Sequence, residues 1–233
     1  MKFLLLWALF ASAEFPPLSV RFPTLAIFPE AQKVAYGDAR GYLHILERGK
    51  EGYREAWRSS FLGSPVGGVL VEDIDDNGRL ELVVFTSGGR IYILDGETYS
   101  TSWQNQEGTF GNITAMAVAN LDSDPQKELV FCADERLYIY DGESLFGEWE
   151  SEGKFQASQI LVGDVDGDGE LELVLNTGFV VGVTFHDIKW ALPGGFGEHI
   201  TLLDVDDDGV PEVLGESGGL LRVFDAELQR ELR

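Results

Sequence analysis

The sequence predicts an all-β fold, a β-propeller of about five four-stranded blades with an acidic loop between the first two strands of several blades. Three observations predict it. Acidic nine-residue segments recur at 73–81, 120–128, 164–172 and 204–212, their first residues 47, 44 and 40 positions apart. Trp57, Trp103, Trp149 and Trp190 recur 46, 46 and 41 positions apart, a spacing that scattered core aromatics would not produce. Between these markers lie short β-branched and aromatic runs bounded by Gly and Asp, the pattern of strands joined by tight turns.

Taken in order, the N-terminus reads as a secretory signal peptide over residues 1–13. Lys2 supplies the charge, Phe3 to Phe10 the apolar stretch and Ala11-Ser12-Ala13 the cleavage site. The expected destination is therefore secreted or periplasmic. The rest, 14–233, is expected to be the propeller, with blades at roughly 18–60, 61–108, 109–153, 154–193 and 194–233. In the first unit, Lys33 to Glu47 matches the register of Glu81 to Asp95, while its loop position, around Leu25 to Glu30, has lost the carboxylates. In the second unit Val66 to Val71 precedes the loop, Leu82 to Phe85 follows it, and Ile91 to Leu94 closes in Asp95-Gly96. The third repeats this with Ile113 to Val118, Leu129 to Phe131 and Leu137 to Tyr140. The fourth has Ile160 to Val162 and Leu173 to Leu175, then an irregular third strand around Gly178 to His186. The fifth has Ile200 to Leu203, Val213-Leu214 and Leu221 to Phe224. No long amphipathic helix is expected, and no stretch after the signal peptide is long and apolar enough to span a bilayer.

Charge narrows the partners. The chain carries 17 basic and 40 acidic side chains, net −23. That balance disfavours nucleic acid and anionic membranes and suits divalent cations or basic partners. Cys132 is alone, so no intramolecular disulfide forms, and its apolar strand context reads as a buried, inert thiol.

The loops carry the chemistry. Crowding carboxylates onto one turn is costly unless a hard cation neutralises them, and calcium takes six to eight oxygen ligands. In D-x-D-x-D-G-x-x-[DE], positions 1, 3, 5 and 9 supply side-chain oxygens, Gly at position 6 permits the turn and position 7 offers its carbonyl. Asp164, Asp166, Asp168 and Glu172, with the Glu170 carbonyl, form one full set. Asp204, Asp206, Asp208 and Glu212, with the Val210 carbonyl, form another. Asp73, Asp75, Asn77 and Glu81, with the Arg79 carbonyl, form a third in which Asn77 is a neutral donor. Calcium at about three sites is expected. The weaker set is Asn120, Asp122, Asp124 and Glu128, where Pro125 stands in place of the turn glycine; calcium is not expected there. An EF-hand is excluded because position 12 is Val84, Leu175 or Gly215 and a strand follows at once. The alternative is an acidic hairpin whose carboxylates accept backbone N–H groups without metal.

These loops, the strands Glu81-Leu-Val-Val and Leu171-Glu-Leu-Val-Leu after them, and Phe110-Gly111 and Phe196-Gly197 ahead of them resemble the FG-GAP/VCBS repeats of integrin-α-type β-propellers over about residues 20–233. The resemblance implies calcium between the first two strands of a blade and a secreted or cell-surface role in adhesion and ligand binding. That family commonly has seven or eight blades against five here. A closed ring and an arc completed by a second chain both stay open.

The function expected is a non-catalytic binding or adhesion module for a protein or glycan. The alternative is a calcium-dependent polysaccharide lyase or hydrolase on the same scaffold. A quinone-cofactor dehydrogenase, suggested by Gly89 to Gly96, would commonly have adjacent cysteines, which Cys132 alone does not supply. His44, His186 and His199 accompany no nucleophile motif and read as strand or loop residues. The expected binding face is the irregular fourth blade, with Phe179, Phe185, His186 and Trp190, although Trp190 also belongs to the structural tryptophan series. Asn112-Ile113-Thr114 is a glycosylation sequon for a eukaryotic host.

Overall fold

The computed structural model describes residues 24–29 and 32–232. The signal peptide and Glu30 lie outside the described residues. Twenty strands form five separate four-stranded sheets, each an antiparallel meander in chain order. The first sheet is β1 (Leu25–Ile27), β2 (Lys33–Gly37), β3 (Leu43–Gly49) and β4 (Gly52–Arg58). The second is β5 (Val66–Glu72), β6 (Glu81–Thr86), β7 (Ile91–Asp95) and β8 (Thr101–Gln104). The third is β9 (Ile113–Ala119), β10 (Glu128–Ala133), β11 (Arg136–Tyr140) and β12 (Gly147–Glu150). The fourth is β13 (Ile160–Gly163), β14 (Glu172–Leu175), β15 (Phe179–Gly182) and β16 (Ile188–Ala191). The fifth is β17 (His199–Leu203), β18 (Glu212–Ser217), β19 (Leu220–Asp225) and β20 (Arg230–Leu232).

Two expectations need correction. The segment taken as the vanished loop of the first unit begins with a strand: Leu25–Ile27 pairs with Val34, Ala35 and Tyr36. The irregularity of the fourth unit begins later than Gly178. Phe179 to Gly182 forms an ordinary strand because Val180 and Val181 pair on both sides, and the departure is the turn from Val183 to Asp187, with His186 at φ 57°.

The second strand of each middle sheet is buried along its whole length, as in β6, β10 and β14. A strand covered on both faces loses the alternation of a half-exposed strand and reads as a continuous apolar run. Sheets pack face to face. Val83, Phe85, Ile91 and Ile93 of the second meet Leu129 and Phe131 of the third. Val130, Cys132, Leu137 and Ile139 of the third meet Leu173, Leu175 and Val181 of the fourth. Cys132 is buried there, and burial pushes its thiol pKa up.

The tryptophan series has a common place. Trp57 faces Ile45, Trp103 faces Ile93, Trp149 faces Ile139 and Trp190 faces Val180 across the third and fourth strands, and in each sheet the register slips by one immediately afterwards. A large ring beside a bulge covers the widened gap in the ladder.

The first strands β1, β5, β9, β13 and β17 meet one another in succession, so the sheets converge on that side. Among the described residues no comparable contact joins β17 to β1. The fifth sheet consequently leaves one face bare, with Leu221 67% exposed where its register equivalent Ile91 is fully buried.

Candidate functional site

Each acidic loop is organised from its last residue. The position-9 glutamate opens the second strand, is buried, and accepts the backbone N–H of position 2. Glu81 accepts from Ile74 (3.0 Å), Glu128 from Leu121, Glu172 from Val165 (3.0 Å) and Glu212 from Val205 (2.8 Å). The position-1 aspartate closes the turn. Asp73 accepts from Asn77 and Gly78, Asp164 from Gly167 and Gly169, and Asp204 from Gly209. Gly78, Gly169 and Gly209 have φ of 81°, 89° and 94°, a conformation that other residues seldom adopt.

Three carboxylates converge in every loop, one oxygen from each lying within 4.8 Å of the others. They are Asp73, Asp75 and Glu81; Asp164, Asp166 and Glu172; and Asp204, Asp206 and Glu212. The Asn120 loop does the same with Asp122, Asp124 and Glu128, despite Pro125. It does so by another turn: Asn120 donates its amide to the Asp124 carbonyl, and the shared link from Glu128 to position 2 is kept. Asp168 and Asp208, the position-5 ligands expected from sequence, stand outside these trios. Asn77, Asp168 and Asp208 instead accept the N–H groups of Arg79, Glu170 and Val210, fixing the residues expected to offer carbonyls.

Burial comes first among the causes that raise the pKa of Glu81, Glu172 and Glu212, with neighbouring aspartates adding to it. Glu128 is pushed up to about 7, by burial and then by Asp122, Asp124 and Glu148. An acid desolvated among acids resists ionisation, and a divalent cation reverses that penalty. Asp204 Oδ1 is buried without a hydrogen-bond partner. That orphaned oxygen and the converging trio fit a hard cation at the last loop, 204–212, and the Asp73 loop presents the same trio. The loop at 164–172 differs, because the Lys189 ammonium lies 3.0 Å from Asp166 Oδ2 and 3.2 Å from Glu172 Oε1 and also contacts Asp168.

Between the third and fourth sheets lies a cavity of about 610 Å3, lined by Asp122, Glu128, Glu148, Trp149, Glu170 and His186 among others and by no lysine or arginine. Trp149 and His186 stack in parallel, ring centres 4.2 Å apart. Burial lowers the His186 pKa, so the ring is neutral at pH 7.

The expected face of the fourth blade does not assemble. Phe185 is 82% exposed, Phe179 packs edge-on against Phe155, and Trp190 is buried against Phe196. Only His186 of that group reaches the cavity, and it is joined by Trp149, whose place in the tryptophan series had marked it as structural. His44 is held between Glu55 (2.7 Å) and Asp38 (3.2 Å) and stacks on Tyr36.

No family model matches the sequence, and no curated protein does. Among solved structures, BBS1N in complex with ARL6DN matches with a TM-score of 0.65 at 14% identity, covering 91% of this chain and 67% of that one. The Pan2 WD40 domain of Neurospora crassa matches at 0.62 and 14%, covering 91% and 64%. BamB from Moraxella catarrhalis matches at 0.53 and 19%, covering 90% and 59%. The fold is that of a β-propeller, and the chain spans about three-fifths to two-thirds of these neighbours. Among the described residues no helix is long and apolar enough to cross a membrane.

Proposed function

We propose that this chain is a non-catalytic binding module of the FG-GAP/VCBS type, acting outside the cytoplasm, whose acidic loops take calcium and whose cavity takes a basic segment of a protein partner. One observation carries the second half: an acidic recess with a parallel Trp149–His186 pair and, among the described residues, no lysine or arginine in its lining. Carboxylates attract a guanidinium or ammonium, and the half-buried Trp149 in the lining offers apolar surface for the stem of such a side chain. The BBS1N propeller is recorded in complex with a protein, ARL6DN, which supports a protein partner over a glycan.

Calcium is proposed first at the loops opening at Asp73 and Asp204, where among the described residues no ion pair like that of Lys189 meets the three converging carboxylates. The ion would neutralise the buried Glu81 and Glu212 and fix the turn between the first two strands.

The test is an isothermal titration with arginine-rich and glutamate-rich peptides of equal length, with and without calcium. Saturable binding of the basic peptide, lost in Trp149→Ala and weakened in Glu148→Gln, supports the reading. Equal response to both peptides, or binding indifferent to Trp149, contradicts it.

A further inference from the structure

We infer that the loop at 164–172 carries its own cation, the Lys189 ammonium, and is a latent divalent-ion site kept closed by that side chain. This inference concerns a loop that the calcium proposal above leaves aside. By sequence this loop has the fullest ligand set of the four, so the expectation from its motif alone is the reverse.

Three independent features of the fourth sheet support it. The ammonium of Lys189 stands against Asp166, Asp168 and Glu172 at once, and the fully buried Glu172 Oε1 lies 3.2 Å from it without a well-directed hydrogen bond. Lys189 precedes Trp190 in the fourth strand, and the residues at that register in the other loop-bearing sheets are Ser102, Glu148 and Glu231, none of them basic. Opposite Glu172 stands Gly182, where the second sheet has Asp95 opposite Glu81. A Cβ at Gly182 would come within 2.9 Å of the Asp187 carboxylate and 3.1 Å of Lys189 Cε, so the glycine leaves room for both side chains. The fourth sheet thus lacks the carboxylate that faces the position-9 glutamate in the second sheet, has Asp187 beside the gap, and has an ammonium against Glu172. A monovalent ammonium with three donors lies against two carboxylates of the trio, Asp166 and Glu172, and offsets part of its charge, so a divalent ion would have to displace it from them first.

The experiment counts calcium ions by isothermal titration on the full chain, the wild type beside Asp166→Asn, Lys189→Met and the double variant. Lys189→Gln serves as a second opening variant, and circular dichroism verifies the sheets in each. We expect Asp166→Asn to leave the wild-type count unchanged, Lys189→Met or Lys189→Gln to bind one ion more, and the double variant to lose that extra ion. A wild-type count that falls by one in Asp166→Asn means that calcium displaces the lysine, and overturns the inference. An unchanged count in both folded opening variants also overturns it. The two readings fail separately: no ion in the wild type with one in Lys189→Met rejects calcium at the Asp73 and Asp204 loops and keeps the lysine. Ions lost from the wild type by Asp204→Ala, with none gained in Lys189→Met, do the opposite.

Discussion

Asp204 Oδ1 is buried without a donor, and Glu212 beside it is desolvated among aspartates. Asp204→Ala is expected to remove one bound calcium and its share of calcium-dependent stability while changing little in chelator, read from paired melting curves and ion counts. His186 sets a pH dependence. Its folded pKa lies below the ordinary value of 6.5 because burial disfavours the imidazolium. The unfolded chain therefore takes up the proton first as pH falls, so the stabilisation is present above about 6.5 and is lost below it. A Trp149 fluorescence change on acidification through that window, abolished in His186→Phe, is the expected result. At this scale the sequence was informative wherever ligand and turn residues are adjacent: Asp73, Asp164 and Asp204 close their turns as the motif requires. It was silent on Lys189, which reaches the loop only through the strand register, some twenty residues downstream of it. The different turn of the Asn120 loop was legible from Pro125, but the meeting of Asp122, Asp124 and Glu128 was not, because it rests on the buried Glu128 and not on a turn glycine.

Among the elements, the same register position is buried or bare according to whether another sheet covers it. Ile91 and Leu221 both lie at the start of a third strand, paired with Phe85 and Glu216. Ile91→Ala is expected to cost about 2–5 kcal/mol in denaturant unfolding, as for a fully buried aliphatic side chain. Leu221→Ala should stay within about 0.5 kcal/mol. The strand runs were legible because apolar stretches such as Leu82 to Phe85 end in turn residues at regular intervals. The partnering of Trp149 with His186 was not, since it joins two sheets through a turn whose positive φ at His186 has no sequence signal.

For the whole molecule, five meanders with successive first strands in contact make a propeller whose two end sheets do not meet among the described residues. The fold was legible from repeat length alone, while the uncovered face of the fifth sheet was not, because Leu214, Leu221 and Val223 read as core residues in any blade. Stability in such an array rests on interfaces between neighbouring sheets, so the turns that seat each first strand against its second matter to the whole. An ion bound only by the folded chain adds about 2.7 kcal/mol per site at a hundred times its Kd. Two such sites in a domain of this size raise Tm on the order of 10–20 °C. The most direct measurement is therefore the melting temperature in excess calcium and in excess chelator, with metal analysis of the same samples. Bound calcium and a Tm lower by that order in chelator are predicted; superimposable melting curves from a chain that holds no metal would contradict the account.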